Sequence, residues 1–189
     1  MLRIAVAGGS IGGLCAGTAL HAIGCDVQIH ERAVGNLTGR GAGIVVQPQL
    51  LQLVRSVGAP ELPTTACIYR RHLMPDGDDG SLVELPLRLT SWSAIYRTLK
   101  AAFPAEAYHA GSTLSGFDQA DGSVVAHFAH SDVDVDLLVC ADGSRSEMRR
   151  LLEPQVRLRY AGYVAWRGTV DERQAPTELL RFFDRSFDR

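Results

Sequence analysis

Cysteine is scarce in this sequence, and the four present (Cys15, Cys25, Cys67 and Cys140) form no C-x-x-C pair. That removes the common dithiol and zinc motifs and leaves free thiols, expected to be buried in a reducing compartment. Long apolar runs are missing too. None reaches the ~18 residues of a membrane-spanning helix, and Met1-Leu2-Arg3 leads directly into a strand pattern instead of a signal peptide. Charge of one sign is not in excess: 19 Lys and Arg stand against 21 Asp and Glu, a formal net charge of -2. The basic residues are scattered, so no footprint for nucleic acid or an anionic membrane exists. The six histidines form no recognisable metal motif, and the sequence alone places no partner acid beside any of them. The Asp76 to Gly80 cluster lacks the register of a calcium loop and reads as a surface turn. No Ser/His/Asp nucleophile arrangement is visible. These absences point to a cytoplasmic globular protein that handles small molecules without a metal, and the oligomeric state stays open.

What is present is an ordered run of α/β signals. Leu2 to Ala7 is a short apolar run that suits a strand buried on both faces. From Ile11 to Ile23 small and apolar residues recur at helical spacing, and Gly24 is placed to close the helix. Asp26 to His30 alternates as a second strand ending in Glu31-Arg32. A strand, glycine turn, helix and strand in about 30 residues form a βαβ unit. Pro48 suits the first turn of a helix reaching about Val57. Residues 66–74 and 81–87 read as strands, and Ser91 is a candidate N-cap for a helix from Trp92 to Phe103, with Pro104 beyond it. Three further strands are expected at 112–119, 123–130 and 133–140, the first two joined by an Asp121-Gly122 turn. A short helix is expected from Arg145 to Leu152 and a last strand over 159–170. Phe182 to Arg189 shows no clear amphipathic pattern, which reads as a truncated ending.

Two segments carry chemistry. Gly8-Gly9-Ser10-Ile11-Gly12-Gly13 is a variant of G-x-G-x-x-G between strand and helix. Gly8 permits the sharp turn, and Gly13 lets helix and strand pack closely. Ser10 stands where the middle glycine would let backbone approach a pyrophosphate at the helix N-terminus. Glu31 follows at the ~20-residue spacing where an acid accepts hydrogen bonds from an adenosine ribose. Its charge disfavours a 2′-phosphate, so an FAD- or NAD-type nucleotide is indicated. The second segment is Ala141-Asp142-Gly143, at the end of an expected strand and before a helix. A carboxylate there can accept ribose hydroxyls.

The order GGSIGGL, IHER, RGAGIVVQP, VCADGSRSEMR and YAGYVAWRG resembles the class A FAD-dependent aromatic hydroxylases, most closely the 2,6-dihydroxypyridine 3-monooxygenase group. The similarity runs from about residue 3 to 171. It implies a Rossmann-type α/β FAD-binding domain over 1–155 with an inserted β-rich segment. The strands near 66–87 would belong to a substrate-side sheet, and 156–189 would begin a substrate domain. By the same resemblance Gly8, Ser10, Ile11, Gly12 and Gly13 would cradle the FAD pyrophosphate, with Glu31 on the ribose and Arg32 beside the adenine. Arg40, Gly41 and Gly43 would lie near the flavin. Arg97 would reach the phosphates and ribityl chain. Asp142 and Gly143 would touch FAD ribose and help admit the pyridine nucleotide, with Ser146 and Arg149 continuing that motif. Tyr160, Tyr163, Trp166 and Arg167 match the stretch that leads toward substrate.

The resemblance implies that NADH or NADPH reduces FAD. The reduced flavin captures O₂ as a C4a-hydroperoxide and hydroxylates an aromatic or N-heteroaromatic ring, in a site that must exclude water. No catalytic acid or base can be named in these 189 residues. A third family motif, Gly-Asp-Ala, is absent, so this chain alone is expected not to hydroxylate. Other readings are a different FAD-dependent oxidoreductase on the same scaffold, a non-catalytic nucleotide-binding remnant, or an NAD-dependent dehydrogenase. The last has no need of the RGAG and ADG segments.

Overall fold

The structure is a computed structural model describing residues 1–39, 43–76, 79–165 and 170–184, without the side chains of 79, 183 and 184. Its centre is a parallel four-stranded sheet. Strand β1 (Arg3–Ala7) lies between β2 (Asp26–Glu31) and β10 (Leu137–Cys140), and β6 (Tyr108–Ala110) extends the sheet beyond β2, giving the order β10-β1-β2-β6. The expectation of a doubly buried first strand holds: Ile4, Ala5 and Val6 are fully buried.

Helix α1 (Ile11–Ala22) covers one face. Its buried stripe is Gly13, Leu14, Gly17 and Thr18, and at Gly17 a Cβ would come within 2.6 Å of Ile29 Cδ1, so the glycine sets the helix-to-sheet spacing. Gly24, at φ +89°, donates to the His21 carbonyl (3.0 Å) and ends the helix as its position suggested. Helix α3 (Trp92–Ala102) packs behind α1 through Ile95, Leu99 and Phe103, which join Val27, Ile29 and Leu14 in the main core. Ser91 is its N-cap, accepting from the Ala94 amide at 3.0 Å. Helix α2 (Pro48–Ser56) begins with Pro48 as expected and packs Val54 into the same core.

The opposite face is covered by an antiparallel meander, β7 (Leu114–Ala120), β8 (Ser123–Phe128) and β9 (Ser131–Val135), whose Ala126, Phe128 and Val135 pack with Ala5. A separate antiparallel sheet has the order β3-β5-β4, with β3 (Gly43–Val45), β4 (Thr65–Leu73) and β5 (Asp79–Ser91). Pro86 falls inside β5 but within a register shift, between the pairs Cys67–Leu87 and Tyr69–Glu84, where its missing N–H costs no ladder bond. No helix among the described residues is long and apolar enough to cross a membrane.

Several expectations need correction. The strand read at 133–140 is two strands in different sheets. Asp136 accepts from the Arg3 amide (2.8 Å) and guanidinium (2.8 Å), and the chain turns there from the meander into the parallel sheet. Strand β6 falls on residues not read as strand, because a three-residue run after a 3-10 turn (Ala105–Ala107) shows no periodicity. Residues 159–165 form no strand, and Tyr160 and Tyr163 are 76% and 74% exposed. The tail does contain a helix, α5 (Thr177–Asp184), with the Arg71 guanidinium over the Phe182 ring. The cysteines are free, but Cys140 is exposed and the other three are only partly buried.

Candidate functional site

Strand β1 leads through α1 to β2 on one side and has β10 as its neighbour on the other, so the C-terminal ends of these strands mark the switch point where open α/β sheets form ligand crevices. A cavity of about 350 Å³ opens there. It is lined by three segments far apart in sequence: Gly8 and Ser10, then His30, Glu31 and Arg32, then Ala141 to Arg145. Leu37 and Trp92 form another part of its wall.

The glycine loop is built by exclusion. Gly8 has φ +109°, and a Cβ on it would lie 2.3 Å from the Ala141 carbonyl oxygen. A Cβ on Gly13 would lie 1.6 Å from the Gly8 oxygen. Gly9, to which the sequence assigned no role, is equally constrained, since a Cβ would meet the Tyr108 hydroxyl at 2.3 Å. Gly12 faces open space. The first intrahelical bond runs from the Leu14 amide to the Ser10 carbonyl (2.8 Å), so the amides of Ile11, Gly12 and Gly13 have no acceptor within the helix. Ser10 is the N-cap residue but makes no side-chain bond to the helix. Its hydroxyl and three helix amides are therefore disposed as an anion site expects.

Glu31 is buried, and each of its oxygens already accepts a backbone proton: Oε2 from Gly9 (2.7 Å) and Oε1 from Ala33 (2.9 Å). The carboxylate thus holds the glycine loop in place, and remaining lone pairs are what a ligand could use. Tyr108 braces the same loop from behind, its hydroxyl donating to the Gly9 carbonyl (3.0 Å) with Lys100 Nζ 3.6 Å over its ring. Burial is the main cause that lifts the Tyr108 phenol above its ordinary range. Asp142 lies beside Gly143, whose φ of +90° favours glycine. Asp142 Oδ2 accepts from the Glu147 amide (2.9 Å) and the Met148 amide (3.4 Å) at the start of α4 (Glu147–Leu152). Ser146 caps the same turn through the Arg149 amide (2.9 Å).

Of the expected site residues, Gly8, Ser10, Glu31, Arg32, Asp142 and Gly143 reach one cavity. Ile11, Gly12 and Gly13 form the helix turn next to it, and Gly43 pairs with Ser91, one residue before Trp92. Arg40 and Gly41 lie outside the described residues, as do Trp166 and Arg167. Arg97 does not reach the cavity. It is exposed in a separate hollow with Tyr96, Lys100 and Tyr108, because it sits roughly 140° round α3 from Trp92 at ~100° per residue.

His30 carried no assignment from sequence. It is 6% exposed, stacks on Phe128 (3.8 Å between centroids) and shares a hydrogen bond of 2.9 Å between Nδ1 and Ser112 Oγ, while Nε2 is buried without a partner. Burial first, then the nearby His109, lowers its pKa to about 4. His127 does have partner acids: Asp118 (3.0 Å) and Asp132 (2.9 Å) flank it across the meander. Neighbouring strands supply them, so spacing along the chain could not reveal them. No cluster of three or more ligating side chains suited to a metal occurs among the described residues.

No protein-family model matches the chain. It is 34% identical over 193 residues to the 2,6-dihydroxypyridine 3-monooxygenase of Paenarthrobacter nicotinovorans, covering 98% of this chain and 47% of that protein. It is 31% identical over 199 residues to the FAD-dependent urate hydroxylase of Klebsiella pneumoniae, covering 96% of this chain and 52% of that protein. Its fold superimposes on the structure of 2,6-dihydroxypyridine-3-hydroxylase from Arthrobacter nicotinovorans with a TM-score of 0.86 and 32% identity, over 96% of this chain and 47% of the other. The chain spans about half the length of the curated relatives it matches. The likeness, in sequence and in fold, runs through nearly all of this chain and matches about half of an FAD-dependent urate hydroxylase and of a 2,6-dihydroxypyridine 3-monooxygenase.

Proposed function

We propose that this chain binds FAD at the switch-point cavity and forms the cofactor half of a monooxygenase acting on an electron-rich aromatic or N-heteroaromatic ring, with NADH or NADPH and O₂ as co-substrates. The observation that carries this is the convergence of the glycine loop, Glu31-Arg32 and Asp142 to Arg145 on one cavity. The donor set suits a dinucleotide. Three free helix amides and the Ser10 hydroxyl can bind a pyrophosphate, and the Glu31 and Asp142 carboxylates can accept ribose hydroxyls. Arg32 and Arg145 add positive charge at the same wall.

FAD held by the glycine loop, Glu31 and Asp142 would supply the redox chemistry, the hydride acceptance from nicotinamide and the O₂ activation that ring hydroxylation needs. The described residues bind and orient. Gly8 and Gly13 let the loop pack tightly against Ala141 and the start of α1, Glu31 and Tyr108 fix the loop, and Leu37 with Trp92 shields one side from water. No residue is assigned as catalytic acid or base. We assign 1–155 to the FAD-binding domain, the strands near 66–87 to a substrate-side sheet, and 156–189 to the start of a substrate domain. A cytoplasmic setting, where NADH and NADPH are available, fits this role.

The test is a titration of the purified chain with FAD, with ADP and NADH as competitors. Saturable FAD binding displaced by ADP is expected, and Ser10→Leu should abolish it. That variant suits the purpose because the Ser10 side chain makes no bond to its helix, so the fold does not depend on its hydroxyl. Binding of NADH but not FAD would refute the proposal and favour a dehydrogenase-type site.

A further inference from the structure

We infer that Trp92 is the aromatic wall against which a planar ring of the bound dinucleotide stacks, an inference that rests on the FAD reading above. Trp92 is the first residue of α3 and half-buried, and it lines the same cavity as the glycine loop and Asp142. Its indole lies nearly parallel to the Tyr96 ring, at 12° and 5.1 Å between centroids, so one face is backed by a buried aromatic. The start of α3 is held independently of any ligand. Ser91 caps it, and Ser93 Oγ accepts from the Gly39 amide (3.2 Å), which ties the segment carrying Leu37 to the helix. Leu37 and Trp92 therefore form a preset apolar wall in a cavity whose other lining is largely polar and charged.

A pyrophosphate and two riboses need the polar lining, but a heteroaromatic ring gains most from a flat π face. Base–aromatic stacking is sequence-tolerant because every such ring has one. Helix phase decides which α3 side chain does this work. Trp92 faces the cavity and Arg97 faces away, so the helix offers stacking here instead of a guanidinium. The stacking ring can be the isoalloxazine or the adenine, which share this chemistry.

Trp92→Leu and Trp92→Phe are compared with the wild type by FAD titration, ADP titration and the emission of the bound flavin. Helical circular dichroism of each variant shows that the fold is intact. FAD affinity is expected to fall roughly tenfold in Trp92→Leu and to be largely restored in Trp92→Phe. Brighter flavin emission in Trp92→Leu, with unchanged ADP affinity, identifies the isoalloxazine. An equal loss of ADP affinity with unchanged emission identifies the adenine. FAD binding in folded Trp92→Leu with wild-type affinity and emission would overturn the inference. Absence of FAD binding by the wild type would instead overturn the cofactor reading, and this inference with it.

Discussion

Acidification should destabilise this protein in part through one buried side chain, His30. In the folded state its ring is stacked on Phe128, 4.9 Å from the His109 ring, and its pKa is lowered to about 4 from the ordinary 6.5. The unfolded chain therefore takes up a proton as the pH falls through 6.5, while the folded chain stays neutral until about 4. Stability tied to this group is intact above pH 6.5 and falls as pH drops. By linkage the loss between pH 7 and pH 5 is about 2 kcal/mol, reaching about 3 kcal/mol below pH 4. His30 is not the only ionisable group in the chain, so the quantity to measure is a difference. Urea unfolding of wild type, His30→Phe and His30→Gln is followed at pH 7, 6 and 5 in one buffer. The wild type should lose about 2 kcal/mol more than either variant over that span. His30→Phe, which removes the unpartnered Nε2, should also match or exceed wild-type stability at pH 5. Parallel pH dependence in all three proteins would refute the reasoning and mean that the ring is hydrated in solution.

Gly13→Ala should destabilise the chain by about 2 kcal/mol or more, since its Cβ would overlap the Gly8 carbonyl, whereas Gly12→Ala should leave thermal stability unchanged or slightly raised; equal melting temperatures would contradict the loop geometry. Glu31→Ala should lower stability by about 1–3 kcal/mol with no ligand present, because the buried Gly9 amide loses its acceptor. Loss of FAD binding in that variant would thus not by itself prove a ribose contact, and unchanged stability in chemical denaturation would show that Glu31 serves only a ligand. Hydrogen bonds to Asp132 and then Asp118 raise the His127 pKa, so its contribution is present below about pH 6.5 and lost as pH rises through the folded value. Histidine NMR titration should show this residue protonated at a higher pH than in an Asp118→Asn/Asp132→Asn variant, and identical titrations would discard the pairing.

The local signals in the sequence were enough for the βαβ core. An apolar run, glycines at fixed offsets and an acid at the second strand's end each act over a few residues, and the structure places them as expected. The caps at Ser91 and Gly24 and the proline at the start of α2 were legible for the same reason. What the chain by itself could not determine depends on partners distant in sequence. Residues 133–140 alternate continuously, and only pairing with β8 on one side of Asp136 and with β1 on the other divides them between two sheets. Arg97 and Trp92 share one helical segment, but which of them faces the cavity depends on how α3 seats against α1. His30 reads as an ordinary strand residue until the meander closes over it and removes its water. Residue types and their spacing determined the likeness to FAD-dependent enzymes, while tertiary packing decided which side chains line the cavity, because burial and approach depend on elements folding back from elsewhere in the chain.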